Sequence, residues 1–206
     1  MAEIIRDLAP VDAMPEKIIL DFELSPIKAF KQAFPLAEIT LCNFHLNQSV
    51  IRKLSTLGLK CRYTDDEEYN EYVKSLAALA FVPPAHVPSV YDKLKSVFPE
   101  DQASDELLQY FETTYIKGVP LRNNRQRPPT YPHELWNQFQ NSLDGLPRTN
   151  NASEGFNNAF KCLLNCDHPS VWLYFDAVSR DIGIQKKSLL MSAQVSTQQR
   201  KKNTSN

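Results

Sequence analysis

"KIILDFELSPIKAFKQAFPLAEITLCNFH", residues 17–45, decides the fold. Ile18, Ile19 and Leu20 form a short apolar run rich in β-branched residues, and Asp21 closes it. Ser25-Pro26 then starts a helix with proline in its first turn. That helix runs to about Ala33 and is closed by Pro35. "AEITLCNFH" reads as a second strand, and a further helix follows from about Asn47 to Leu57, stopped by Gly58. The order β, α, β, α with short connections predicts a partly parallel sheet with helices packed on it.

Outward from this stretch the chain turns helical. Upstream lie the end of a helix (Glu3 to Leu8) and a linker broken by Pro10 and Pro15. From Thr64 to Leu143 no strand is evident. "DDEEYNEYVKSLAALAFV", with acids in its first turn where the helix dipole favours them, is followed by "PPAHVPSVYDKLKSVFP", "DQASDELLQYFETTYI" and "PHELWNQFQNSL", each read as one helix. Between the last two lies the irregular loop "KGVPLRNNRQRPPTYP". Its charges are Lys117, Arg122, Arg125 and Arg127, with no acid. The loop is either a solvated connection or a phosphate-contacting patch. "HPSVWLYFDAVSRDIGIQKKSLL" reads as a last helix whose Trp172 and Phe175 face the core, and Ser192 to Asn206 as a polar, disordered tail.

The 206 residues suffice for one core, or for a core with an inserted subdomain. The net charge of −1 provides no global positive field, so nucleic-acid binding must rest on local patches. Cys42, Cys61, Cys162 and Cys166 form no C-x-x-C pair, and no signal peptide precedes them. No apolar window reaches the roughly 18 residues of a membrane span. The expectation is an intracellular protein with reduced thiols and no membrane partner.

Three places can carry chemistry. In "GLPRTNNASEGFNNAFK", residues 145–161, a helix capped by Asn151 puts Glu154 at its third position, an imperfect capping box. Phe156, Ala159, Phe160, Leu163 and Leu164 share one face of that helix, and Glu154, Asn157, Asn158 and Lys161 share the other. Glu154 is thus a helix-start residue or a group on an active face. Asp21 ends a strand, where open α/β sheets gather ligand-binding groups, and a simple turn residue is the alternative. Cys42 and His45, in "CNFH", have half of a zinc-finger spacing. Nothing in the sequence brings Cys162, Cys166 and His168 to complete it, so zinc is not expected, and a packed Cys with a hydrogen-bonded His is.

Taken in order, "KIILDFE", "AEITLCNFHLNQSV", a long helical stretch and "LPRTNNASEGFNNAFK" closely resemble the catalytic domain of Mutator-like element (MULE) transposases. The resemblance extends to "YFETTYI", "ELWN" and "HPSVW", covering Lys17 to about Asp181. It implies a DDE-class site on a ribonuclease-H-like sheet, with Asp21 matching the second catalytic acid and Glu154 the third. Cys42 and His45 match the family's C-x-x-H motif, and the stretch from about Thr64 matches its helical insertion. The resemblance further implies Mg²⁺ held by Asp21 and Glu154, a DNA partner contacted by Lys117, Arg122, Arg125 and Arg127, and a nuclear location. Phosphodiester cleavage develops negative charge on attacking and leaving oxygens, which two divalent ions can stabilise.

The family's first acid lies on a strand that should precede "KIILDFE", where this sequence has sixteen residues. Asp7 and Asp12 sit on a helix end and a proline-bounded linker. The expectation is therefore a C-terminal part of the DDE domain, inactive in cleavage as this chain. A domesticated, non-catalytic DNA-binding or protein-interaction module is the alternative, and a helical scaffold unrelated to transposition is a third. The fold class expected is mostly α within α/β: a partial ribonuclease-H-like sheet of about two strands, flanked by helices and interrupted by an all-helical insertion. The divisions are 1–16 (helix remnant and linker), 17–63 (first part of the sheet domain), 64–145 (insertion), 146–191 (second part) and 192–206 (tail). An exposed sheet edge would favour self-association.

Overall fold

A computed structural model describes residues 2–8, 14–122, 125–166 and 168–203. Pro10 and Asp12 of the expected linker, Asn123 and Asn124 of the arginine loop, and the end of the expected tail from 204 lie outside the described residues. The chain divides into two compact units, Met1–Asn150 and Asn151–Asn206. The first therefore holds both the strand pair and the helices of 64–145.

In the first unit, α1 (Ala2–Leu8) precedes β1 (Lys17–Leu20), α2 (Leu24–Ala33) and β2 (Glu38–Leu41). The two strands pair in parallel with Lys17 opposite Glu38 and Leu20 opposite Leu41. Lys17 and Glu38 also form a cross-strand ion pair at 3.1 Å. Ile39, Thr40 and Leu41 are all buried, so β2 is covered on both faces, as parallel strands usually are. This is the mostly helical α/β class, with two small sheets of two strands each among the described residues.

Helix α3 (Asn43–Thr56) starts directly after β2, four residues before the start expected from its periodicity, and Gly58 at φ +73° follows its end. Then come α4 (Lys60–Asp65), α5 (Glu67–Ala78), α6 (Val87–Val97) and α7 (Gln102–Phe111). α5 and α7 carry aspartate caps, Asp66 accepting from the Tyr69 amide and Asp101 from the Ser104 amide. The helix of α7 runs on as a π-turn through Glu112–Ile116. Leu46, Val50, Leu54, Val73, Leu76, Tyr91, Leu107 and Phe111 form one core with Leu41 from the sheet.

The arginine loop holds a structure not expected from the sequence, a minimal antiparallel pair of β3 (Val119–Pro120) and β4 (Gln126–Arg127). Gly118 makes it possible. It sits at φ +77°, and a Cβ there would run into the Arg127 carbonyl oxygen and the Pro128 backbone. "PHELWNQFQNSL" is two short helices, α8 (His133–Trp136) and α9 (Phe139–Leu143), instead of one. Asn137 between them is extended.

The second unit is α10 (Asn151–Leu164) and α11 (Val171–Asn203), which pack on each other. Phe156 stacks on Phe160, and Phe160 meets Tyr174 edge-on. Trp172 and Phe175 do not face a core: they are 82% and 58% exposed. Phe160 and Tyr174 supply the aromatic contact between the helices, and Trp172 points elsewhere on the first turn of α11. The stretch from Ser192, expected as a disordered tail, continues α11 to Asn203.

Candidate functional site

The register of the strand pair builds the site. Because Leu20 lies opposite Leu41, the next residues, Asp21 and Cys42, emerge side by side at the carboxyl ends of two parallel strands. The ladder carries on one step: the Cys42 amide donates to the Leu20 carbonyl at 2.8 Å. Three residues on, in the first turn of α3, His45 turns its Nδ1 to within 3.0 Å of Asp21 Oδ1. The C-x-x-H spacing acts here as a strand-to-helix corner that returns the imidazole above the strand ends.

Asn150 joins these groups from the far end of the unit. Its Nδ2 donates to Asp21 Oδ1 at 3.0 Å, and its Oδ1 accepts from the Cys42 thiol at 3.2 Å. The Arg148 carbonyl, just before it, accepts from the Asn43 amide at 3.0 Å. The other side of Asp21 is fixed through Phe22, whose carbonyl accepts from the Tyr131 hydroxyl at 2.6 Å and whose ring lies edge-on to Tyr131 and Tyr115. Cys42 is fully buried, whereas the Asp21 side chain is 45% exposed. The cluster is therefore open to solvent on the carboxylate side and closed on the thiol side.

The ligand atoms of Asp21, Cys42 and His45 all lie within 4.8 Å of one another, so these side chains could hold a metal ion. One carboxylate, a thiol and an imidazole do not make the hard-oxygen shell that Mg²⁺ takes. The donors gathered around Asp21 within this unit thus fit a softer ion better than Mg²⁺. Asn150 is the member of the site that sequence reasoning missed. Its only signal was a place in the loop ahead of a helix, where asparagine is ordinarily a cap.

Glu154 occupies the first turn of α10 in the second unit and is exposed. The helix begins at Asn151, one residue earlier than a cap at Asn151 requires. Asn150, the residue ahead of it, is engaged with Asp21 and Cys42.

The four cations of the arginine loop separate into two kinds. Lys117 is held by Asp92 at 2.6 Å and Glu112 at 3.1 Å, and Lys95 reaches Glu112 at 2.7 Å. The hydrogen bond to Asp92 raises the Lys117 ammonium above its ordinary range, against burial and with help from Glu112. Burial pushes the Glu112 carboxyl up, but the hydrogen bonds from Lys95 and Lys117 outweigh it and hold it below its usual range. Arg122, Arg125 and Arg127 are exposed. A shallow groove lies beside them, lined by both signs of charge: Lys95, Glu112, Lys117 and Arg125 among others.

Comparison of the chain with protein-family models, with curated proteins and with solved structures yields no match. Among the described residues, no helix is long and apolar enough to cross a membrane.

Proposed function

We propose that the chain is part of a MULE-type DDE transposase, descended from an enzyme of metal-dependent DNA cleavage and strand transfer, and that by itself it holds DNA without cutting it. The observation that supports this reading is the position of Asp21 at the carboxyl end of β1, in contact with the His of a C-x-x-H corner. That is where the resemblance puts the second acid and its accompanying motif. Glu154, in a helix's first turn, occupies the kind of position the resemblance gives the third acid.

Cleavage is not proposed for the isolated chain because one carboxylate amid soft donors is a poor seat for two Mg²⁺ ions in line with a phosphate. DNA holding rests on Arg122, Arg125 and Arg127, three exposed guanidinium groups on one loop; Lys117 drops out because two carboxylates neutralise it. A nuclear site of action accompanies this reading. So does self-association through the outer edges of the strand pair, since each strand has one strand neighbour among the described residues.

The test is binding to duplex DNA across a salt series. Affinity is expected to fall steeply with salt, and Arg122→Gln/Arg125→Gln/Arg127→Gln to flatten the slope of log K against log salt by about 3, roughly one unit per lost phosphate contact. The reading fails if the triple variant binds with an unchanged slope. Nicking that requires Mg²⁺ and disappears in Glu154→Gln would show instead that the chain is an active nuclease.

A further inference from the structure

We propose that Asp21, Cys42 and His45 form a binding site for a single divalent transition ion of the zinc class, with three protein donors and a fourth position open to water. The inference stands on the geometry of the first unit and does not depend on the transposase reading.

The donor atoms come from three separate places, the end of β1, the end of β2 and the first turn of α3, yet lie within 4.8 Å of one another. In a tetrahedral zinc site the ligand atoms stand about 2.0–2.3 Å from the ion, and so about 3.3–3.8 Å from each other. Small side-chain adjustments therefore suffice. The present contacts also leave one group badly served. His45 Nδ1 is buried and without a hydrogen-bond partner, although Asp21 Oδ1 is only 3.0 Å away. A protonated Nδ1 is misaligned for donation at that distance. A bare Nδ1 turns its lone pair on an anionic oxygen. A cation between the two resolves either conflict.

The chemistry selects the ion. A thiolate, an imidazole and a carboxylate together suit Zn²⁺ or Co²⁺ and disfavour Mg²⁺ and Ca²⁺. On binding, the Cys42 S–H bond is broken, its proton goes to solvent and its hydrogen bond to Asn150 Oδ1 is lost, and an S–M bond forms in their place. Asn150 Nδ2 already donates to Asp21 Oδ1, which is the outer-shell support that orients a ligating carboxylate. Burial at Cys42 and exposure at Asp21 place the open fourth position on the solvent side. The sequence did not point to this site because the third donor lies 21 positions before Cys42 (42 − 21), not in a second Cys/His pair.

Co²⁺ is the probe. Cys61, Cys162 and Cys166 are exposed thiols that would also take it, so the titration is done on the full chain carrying serine at those three positions. The expected result is saturation at one Co²⁺ per chain, with a thiolate-to-metal charge-transfer band in the near ultraviolet and the visible d–d bands of a tetrahedral ion. Zn²⁺ should bleach both, and a large excess of Mg²⁺ should leave them unchanged. Cys42→Ser should abolish the charge-transfer band. Asp21→Asn and His45→Asn, conservative changes at less buried groups, should each weaken binding more than tenfold while circular dichroism stays that of the parent. They decide the matter if Cys42→Ser does not fold. Asn150→Ala should weaken binding about 10–100-fold. Failure to see a saturable band, binding that survives Asp21→Asn and His45→Asn, or bleaching by Mg²⁺ would each overturn the proposal.

Discussion

Asp101 serves two partners at once. One oxygen accepts from the Ser104 amide at 2.9 Å, capping α7, and the other takes the Ser104 hydroxyl at 2.8 Å and the Arg62 guanidinium at 2.6 Å. Burial pushes its carboxyl up, but the Ser104 and Arg62 hydrogen bonds outweigh that and hold it below the ordinary carboxylate range. A depressed folded-state value means the stabilisation is present above the unfolded carboxylate range and disappears as pH falls through the folded value. Asp101→Ala should lower stability at neutral pH by about 1 kcal/mol, a typical loss for a cap; solvent screens the ion pair, which adds little. Asp101→Asn should shrink the stability lost between neutral and acid pH, as read from urea melts at a series of pH values; an unchanged acid limb would contradict the assignment. An aspartate just ahead of an amphipathic run is a local signal and so legible in principle, although no cap was assigned there from the sequence. Asn150 was not legible, since its partners, Asp21 and Cys42, lie more than a hundred residues away in sequence and no local pattern encodes them.

At the scale of elements, the β-α-β-α order from residue 17 was plain because apolar runs, proline and glycine mark those boundaries locally. The break between α8 and α9 was hidden for a different reason. "PHELWNQFQNSL" has no proline or glycine after Pro132 to mark a break, but distant hydrogen bonds impose one. The Gln138 amide donates to the Ala80 carbonyl at 2.6 Å, the Gln138 Nε2 donates to the Leu41 carbonyl at 2.8 Å, and the Asn137 Nδ2 reaches the Val82 carbonyl at 2.7 Å. Gln138 is fully buried, and Asn141 in turn donates to its Oε1. Gln138→Leu should therefore strand the Leu41 carbonyl and the Asn141 amide, costing about 1–3 kcal/mol. Because Leu41 is the last residue before Cys42, the same change should also loosen the strand ends that carry the site. Native-state hydrogen exchange at β2 and the start of α3 reads this directly. Faster exchange there, beyond the global loss of stability, is the expected outcome, and a uniform change across the chain would refute the link. Proline and glycine marked helix ends well, with α2 closing at Ala33 and α3 at Thr56 just ahead of Gly58, whereas α3 starts four residues before its expected start because Cys42 at its head carries no side-chain cap to mark it.

On the scale of the molecule, the two tryptophans report on different units. Trp136, fully buried, lies edge-on to Phe111 and Tyr115 in the core of the first unit and donates its indole N–H to the Tyr131 carbonyl at 2.9 Å. Trp172, in the second unit, is 82% exposed. The sequence placed Trp172 in a core because large aromatics usually go there, and periodicity cannot say which of several aromatics on a helix is used. Phe160 and Tyr174 make the edge-on contact between α10 and α11. Two consequences follow from this division. Trp136→Ala should destabilise the first unit by about 3–5 kcal/mol, the usual result of emptying a large aromatic site, whereas Trp172→Ala should change stability little. Emission should separate in the same way. In Trp172→Phe the remaining fluorescence, from Trp136, should be blue-shifted, poorly quenched by iodide, and should move red in a single urea transition that tracks the loss of the first unit's core. In Trp136→Phe the emission should already be red and freely quenched before any urea is added. The pairing is useful because the metal proposal concerns the first unit alone: Zn²⁺ should raise the urea midpoint seen by Trp136, since an ion bound only by the folded state stabilises it by mass action. A Zn²⁺ effect on the emission of Trp172 in the Trp136→Phe protein, with no movement of the Trp136 midpoint in the other, would place the ion outside the Asp21 cluster.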